Sequence, residues 1–310
     1  MSGTSLVYVH GAGPQKPAPV LKRELDQLLF GHDLATSRLA HYANVRWPPT
    51  AVGPAIGPDR STRARRQRAI RAAAGPEVSP RAAARAIVTA ALIPPVGGRG
   101  VAPAGTVQPP ADAVRLVARL YRNADRIALR TSTPRPGVAL GPWFPDPIFR
   151  FIVGLFASDV VDYLFGGWAE RMRAPVRQAL LSGPPPGVIV AHSLGTIVVY
   201  DVLSEPAFAG LAADLLVTVG SPLGIANVQD RLRDGAGRPN PVPGKLQAWS
   251  NFADRWDPVA LDATLRDEFR PPRNFARDEA VNNQARNNHD LTGYLAVAIV
   301  RSTIVAAVGQ

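Results

Sequence analysis

The feature that most constrains this chain is a junction. Gly187 to His192 (GVIVAH) is an almost unbroken apolar run rich in β-branched residues, whereas Leu194 to Leu203 switches at once to helical spacing. Only Ser193 separates the two. A buried strand that passes into a helix over one residue must turn so tightly that the positions two before and two after it have to be small. Ala191 and Gly195 meet that requirement. The bare pattern arises by chance in a chain rich in Ala and Gly, so the strand before it and the helix after it carry the meaning.

The rest of the chain supplies matching elements. Ser5 to His10 is a short β-branched and aromatic run, followed by the Gly-containing GAGPQKP and by Val20 to Phe30, where Leu21, Leu25, Leu28 and Leu29 recur at helical spacing. A second strand is predicted over His41 to Trp47, ended by Pro48 and Pro49. Leu215 to Gly224 and Lys245 to Asp254 read as two more strands, and the segment after His289 as a final helix. Strands alternating with helices predict an α/β fold with an open, mostly parallel sheet, whose active residues belong just beyond the carboxyl ends of the strands. Between residues 50 and 186 the composition shifts to Ala, Arg, Pro and Gly. Helices are expected there over Ser61 to Ala74, Pro80 to Ile93, Ala111 to Arg130 and Ile148 to Leu181, the last broken at Gly166 and Gly167. Pro94 to Pro110 reads as a mobile loop. The expected organisation is a core of residues 1–49 and 187–310 with a mostly helical insertion over 50–186.

Composition narrows the chemistry. Without Cys there is no disulfide, thiolate metal site or cysteine nucleophile, and the sequence implies neither metal nor cofactor. The N-terminus lacks a basic leader with an apolar segment and cleavage site, so a cytoplasmic protein is expected. The longest apolar stretch, Phe149 to Phe165, is interrupted by Arg150, Asp159 and Asp162, which argues against a transmembrane segment. The formal charge of +11 is concentrated between Arg60 and Arg135, where fifteen Arg face only Glu77, Asp112 and Asp125. STRARRQRAIRAAA places Arg all around its helix and reads as a solvated arm. An anionic surface or a protein partner is the expected attraction, and the scarcity of interleaved aromatics argues against nucleic acid.

Ser193 on such an elbow is a candidate nucleophile, with its hydroxyl held clear of the sheet and the Leu194 N–H at a helix N-terminus. A serine needs a base, and the chain offers five histidines. His289, in a loop before the last helix, is the candidate. His32 and His41 read as structural, His10 ends the first strand, and His192 lies inside the elbow. The acid that orients the base is sought between nucleophile and base. NFADRWDPVA offers Asp254 and Asp257, with Asp257 favoured because the turn it opens would leave its carboxylate off the sheet edge. Asp290 is adjacent to the base and badly placed. HGAG, His10 to Gly13, can turn a backbone N–H toward Ser193, and Ala12 N–H is the candidate partner of Leu194 N–H in an oxyanion hole. Ser221 in TVGSPLG reads as a structural strand end.

Through VYVHGAG, VIVAHSLGT, TVGSPLG, SNFADRWDPVA and HDLTGY, the chain resembles an α/β-hydrolase of the lipase and esterase type. The resemblance covers Ser5 to Trp47 and about Gly187 to the C-terminus. It implies a Ser193, Asp257, His289 triad, an Ala12 and Leu194 oxyanion hole, and a large helical cap in the insertion. It also implies hydrolysis of a carboxylic ester, acyl or lipid-like, through an acyl-enzyme. Ala191 departs from the commonest elbow, which has Gly there. The helix IFRFIVGLFASDVVDYLF is expected to pack within the cap, with an acyl pocket or membrane contact as alternatives. Two other functions stay open: an effector hydrolase gated through its basic insertion, and a non-catalytic scaffold.

Overall fold

The computed structural model describes residues 4–46, 60–92, 108–131, 147–232, 240–243, 245–283 and 287–309. The chain divides into two compact units, one of Met1–Trp47 with Ala169–Gln310 and one of Pro48–Trp168.

The first unit is built on six strands: β1 (Leu6–Val9), β2 (Ser37–Ala40), β3 (Val188–His192), β4 (Ala212–Val219), β6 (Lys245–Asp254) and β8 (Phe275–Val281). They form one sheet in the order β2-β1-β3-β4-β6-β8, and every pairing is parallel. The fold class is therefore α/β. All residues of β1 and β3 are buried, as expected of strands covered on both faces. The helices of this unit are α1 (Ala18–Phe30), the short α2 (Ala43–Arg46), α7 (Ala169–Leu181), α8 (Leu194–Leu203), α9 (Ala226–Leu232), α10 (Leu291–Ala296) and α11 (Ala298–Val308). Leu21, Leu25 and Leu29 of α1 and Val300 and Ile304 of α11 join Leu6, Tyr8, Val190, Val217 and Phe252 of the sheet in one apolar cluster. Two further strands, β5 (Asn240–Pro241) and β7 (Phe269–Arg270), form a separate small parallel pair.

Three elements differ from what the sequence predicts. The second strand is Ser37–Ala40, and residues 43–46 are helical, because the Tyr42 and Ala43 N–H groups both donate to His10 Nε2 and leave the sheet. The strand at 212–219 ends before Gly220, and Pro222–Gly224 is a single 3₁₀ turn. Finally, the single helix expected after His289 is two, α10 and α11, because Val297 between them leaves the helical region at φ −65° and ψ 125°; α7 packs on α8, β1 and β2 and lies in the same compact unit as the sheet.

The second unit contains α3 (Arg60–Ala73), α4 (Pro80–Leu92), α5 (Ala111–Thr131) and α6 (Pro147–Phe165). Its interior holds Ile70, Ile87, Val88, Leu116, Leu120, Tyr121, Val153, Phe156 and Val160. α6 packs against α3, α4 and α5, as expected for a helix that is apolar nearly all round. The Arg-rich helix α3 is not a solvated arm. Arg66 is buried, pairs with both oxygens of Asp162 at 2.9 and 3.1 Å, and donates to the Ala90 and Ala91 carbonyls at the end of α4. A bidentate ion pair and two otherwise orphaned helix-end carbonyls together satisfy a charge that could not be buried alone. The loop expected over Pro94 to Pro110 lies mostly outside the described residues. No single described helix is long and apolar enough to cross a membrane.

Candidate active site

Parallel register brings the carboxyl ends of the strands to one edge. Val9 pairs with Ala191, and His192 with Val219. The loops that leave β1, β3 and β6, and the segment after β8, therefore start from the same rim.

Ser193 has φ 55° and ψ −130°, the only positive φ at a non-glycine position among the described residues. Such strain persists only where surrounding structure holds it. Here the Ser193 N–H donates to the Val219 carbonyl at 3.1 Å, and the next residue opens α8. The small neighbours are required sterically. A Cβ on Gly195 would lie 2.4 Å from the His10 carbonyl oxygen, and one on Gly11 would lie 2.8 Å from the Ser193 Cβ. The loop after β1 thus runs directly against the elbow.

The structure brings Ser193, His289 and Asp257 together. Ser193 Oγ and His289 Nε2 are 2.7 Å apart, and His289 Nδ1 and Asp257 Oδ2 are 2.8 Å apart. The second Asp257 oxygen accepts from the Val259 and Ala260 N–H groups at 2.8 and 3.2 Å. Burial alone would raise this carboxyl. The charge and hydrogen bond of His289, with the donors Val259 N–H and Tyr294 O–H, outweigh it and hold Asp257 below its ordinary value. A carboxylate so placed stays ionised and fixes the proton of the imidazole on Nδ1, leaving Nε2 free to accept from the serine.

Asp254 has a different task. Its oxygens accept from the N–H groups of Trp256 and Asn283 and from Asn288 Nδ2, which ties the end of β6 to the segment that carries His289. Asp290 caps α10, accepting from the Gly293 N–H and the Thr292 hydroxyl. Ser221 Oγ shares a hydrogen bond with Thr196 Oγ1 and accepts from the Leu223 N–H, the part of a turn residue. His32 lies at the Phe30 carbonyl and His41 at that of Lys16.

Three residues that the sequence reading left without a role hold the arrangement. Tyr294 donates its hydroxyl to Asp257 Oδ2 at 2.8 Å and accepts from the Asp254 N–H at 2.8 Å. Burial and the Asp257 charge push the phenol well above its ordinary value, so it remains a donor. His192 is pushed down to about 3 by burial, with the neighbouring His289 adding to the effect. As a neutral ring it donates from Nε2 to the His289 carbonyl at 2.9 Å, fixing the backbone of the residue whose side chain meets Ser193.

His10 is likewise pushed down to about 3 by burial. Its Nε2 accepts the two N–H groups of Tyr42 and Ala43, which assigns the ring proton to Nδ1, and Nδ1 donates to the Gly11 carbonyl at 2.7 Å. In a trans peptide the carbonyl and the following N–H point in opposite directions, so the Ala12 N–H faces away from His10. Ala12 itself is half-buried, and its carbonyl accepts from Gln15 Nε2. Leu194 is buried as the first residue of α8, where its N–H has no acceptor four residues earlier in the helix. No group of three metal-ligating side chains comes together among the described residues. Compared with protein-family models, curated proteins and solved structures, the chain matches none of them.

Proposed function

We propose that this chain is a serine hydrolase of the α/β-hydrolase type that cleaves a carboxylic ester, acyl or lipid-like, through an acyl-enzyme on Ser193. One observation carries the reading: a serine on a strained strand-to-helix elbow whose Oγ lies 2.7 Å from the imidazole of His289, which is 2.8 Å from the ionised Asp257. Buried ionisable groups linked in this order serve no obvious packing purpose, and they supply what a weak nucleophile lacks.

In this reading His289 Nε2 takes the Ser193 proton as Oγ attacks the ester carbonyl. Asp257 stabilises the resulting imidazolium without taking its proton. The Leu194 and Ala12 N–H groups receive the oxyanion, a contribution of about 3 to 4 kcal/mol per donor in comparable sites. His289 then protonates the departing alkoxide as the tetrahedral intermediate collapses to acyl-Ser193. Water enters, His289 deprotonates it, and the same steps in reverse release the acid.

Ser193 has no exposed surface and His289 is 7% exposed, so substrate reaches the hydroxyl only after neighbouring groups move. That burial favours a second form of the reading, a hydrolase whose activity rises when a partner or surface opens the site. The test is hydrolysis of p-nitrophenyl acetate, butyrate and octanoate by the full chain, with and without anionic vesicles. Ser193→Ala and His289→Ala are expected to lower kcat by about 10⁴-fold or more. Wild-type rates in Ser193→Ala would remove the reading.

A further inference from the structure

The helical unit holds a basic cleft that chemistry at Ser193 does not use. On α4, Arg81, Arg85 and Thr89 follow one another at steps of four residues and so share one face. On α5, Arg115 and Arg122 are seven residues apart, two helical turns, and share a face as well. These five side chains line a single open cleft of about 750 Å³, with the apolar Val114 among them.

The charge in it is left unbalanced. Asp112 pairs with Arg115, whereas Arg81, Arg85 and Arg122 make no ion pair among the described residues. This contrasts with Arg66 in the same unit, whose charge Asp162 neutralises from within. Guanidinium groups brought to one cleft from two helices repel one another, and packing does not require them, since all four side chains are exposed. An anion with several oxygens removes that repulsion, and the planar five-donor fork of Arg matches a phosphate bidentately. The volume is that of a small-molecule site and is larger than one inorganic anion needs.

We propose that the cleft between α4 and α5 binds a ligand carrying two or more phosphates, as a phosphoanhydride or a bisphosphate, with Arg81 and Arg85 on one side and Arg115 and Arg122 on the other. Thr89 adds a hydroxyl donor, and Val114 offers apolar contact to the organic part. The same chemistry is found in a soluble phosphorylated metabolite and in a phosphorylated lipid headgroup. The site does not depend on the reading of Ser193, and its test measures binding alone.

The full chain is titrated calorimetrically with inorganic pyrophosphate at near-physiological salt. In parallel it is sedimented with phosphatidylcholine vesicles containing either phosphatidylinositol bisphosphate or phosphatidylserine at equal total charge. Two double variants remove equal charge from exposed helix positions: Arg85→Gln with Arg122→Gln inside the cleft, and Arg68→Gln with Arg119→Gln outside it. The cleft pair is expected to weaken binding at least tenfold, and the outer pair by less than twofold. Pyrophosphate binding without vesicle preference identifies a soluble ligand. Preference for the bisphosphate lipid over phosphatidylserine, lost in the cleft pair, identifies a headgroup. The proposal is overturned if neither probe binds, if both pairs weaken binding equally, or if a short RNA duplex binds more tightly than either probe and responds equally to both pairs.

Discussion

Two neutral histidines packed under the candidate active site make the fold sensitive to acid, and His192 allows that sensitivity to be isolated. His10 and His192 are each pushed down to about 3 by burial, while in the unfolded chain they titrate near their ordinary value of about 6.5. The unfolded chain therefore takes up protons that the folded one refuses, and stability falls as pH drops from about 6.5 toward 3. Each ring removes about 1 kcal/mol between pH 7.5 and 5.5, and about 2 to 3 kcal/mol by pH 4.5. For both together the loss by pH 4.5 is about 5 kcal/mol, comparable with the whole stability of many domains. Glutamine at position 192 does not titrate, yet its side-chain N–H can still reach the His289 carbonyl that Nε2 now serves at 2.9 Å. The assay is urea unfolding at pH 7.5, 5.5 and 4.5, followed by tryptophan fluorescence, to which the fully buried Trp249 of the sheet contributes. His192→Gln should lose about 1 kcal/mol less than the parent by pH 5.5 and about 2 to 3 kcal/mol less by pH 4.5. An identical pH dependence in parent and variant would refute the assignment of His192 as a neutral buried donor.

Other perturbations address the carboxylate and the elbow. Tyr294→Phe removes one donor to Asp257 and the acceptor of the Asp254 N–H, and should lower stability by about 2 to 4 kcal/mol in urea unfolding, with a parallel fall in kcat. Gly195→Ala places a Cβ 2.4 Å from the His10 carbonyl and should destabilise by about 2 kcal/mol or more, displacing Ser193 enough to abolish measurable ester hydrolysis. Asp257→Asn should lower kcat by about 10⁴-fold, because the amide no longer holds the proton on His289 Nδ1. Since the Asp257 carboxyl is held below its ordinary value, its ionised form adds stability above about pH 4, and that contribution disappears as pH falls through the lower folded value. The Asn variant should thus flatten acid unfolding below pH 4 and leave the histidine-driven loss between pH 7.5 and 4.5 unchanged.

What the sequence made legible follows from burial. β3 and β4 sit inside a parallel sheet, so VIVAH and LLVTV had to be continuously apolar and stand out. The edge strands did not. β2 is four residues long with Arg38 in it, and β8 reads FARDEAV, because an edge strand meets solvent along one side and tolerates charge. The elbow was readable because sterics leave few residues for its flanking positions. The supporting shell was not: no local pattern says that Tyr294 will reach Asp257 across 37 residues, or that His192 will meet the carbonyl of His289 across 97. Arg66 misled for a related reason. On a helix with Arg on every face, nothing local marks the one that finds a buried carboxylate 96 residues away.

The most direct test of the central claim is to treat the native chain with a fluorophosphonate and locate the adduct by peptide mass spectrometry. The account predicts one adduct, on Ser193, absent in Ser193→Ala and formed far more slowly in His289→Ala. No adduct in the native chain, or one whose rate is unchanged when His289 is replaced, would contradict a serine activated by His289 and Asp257.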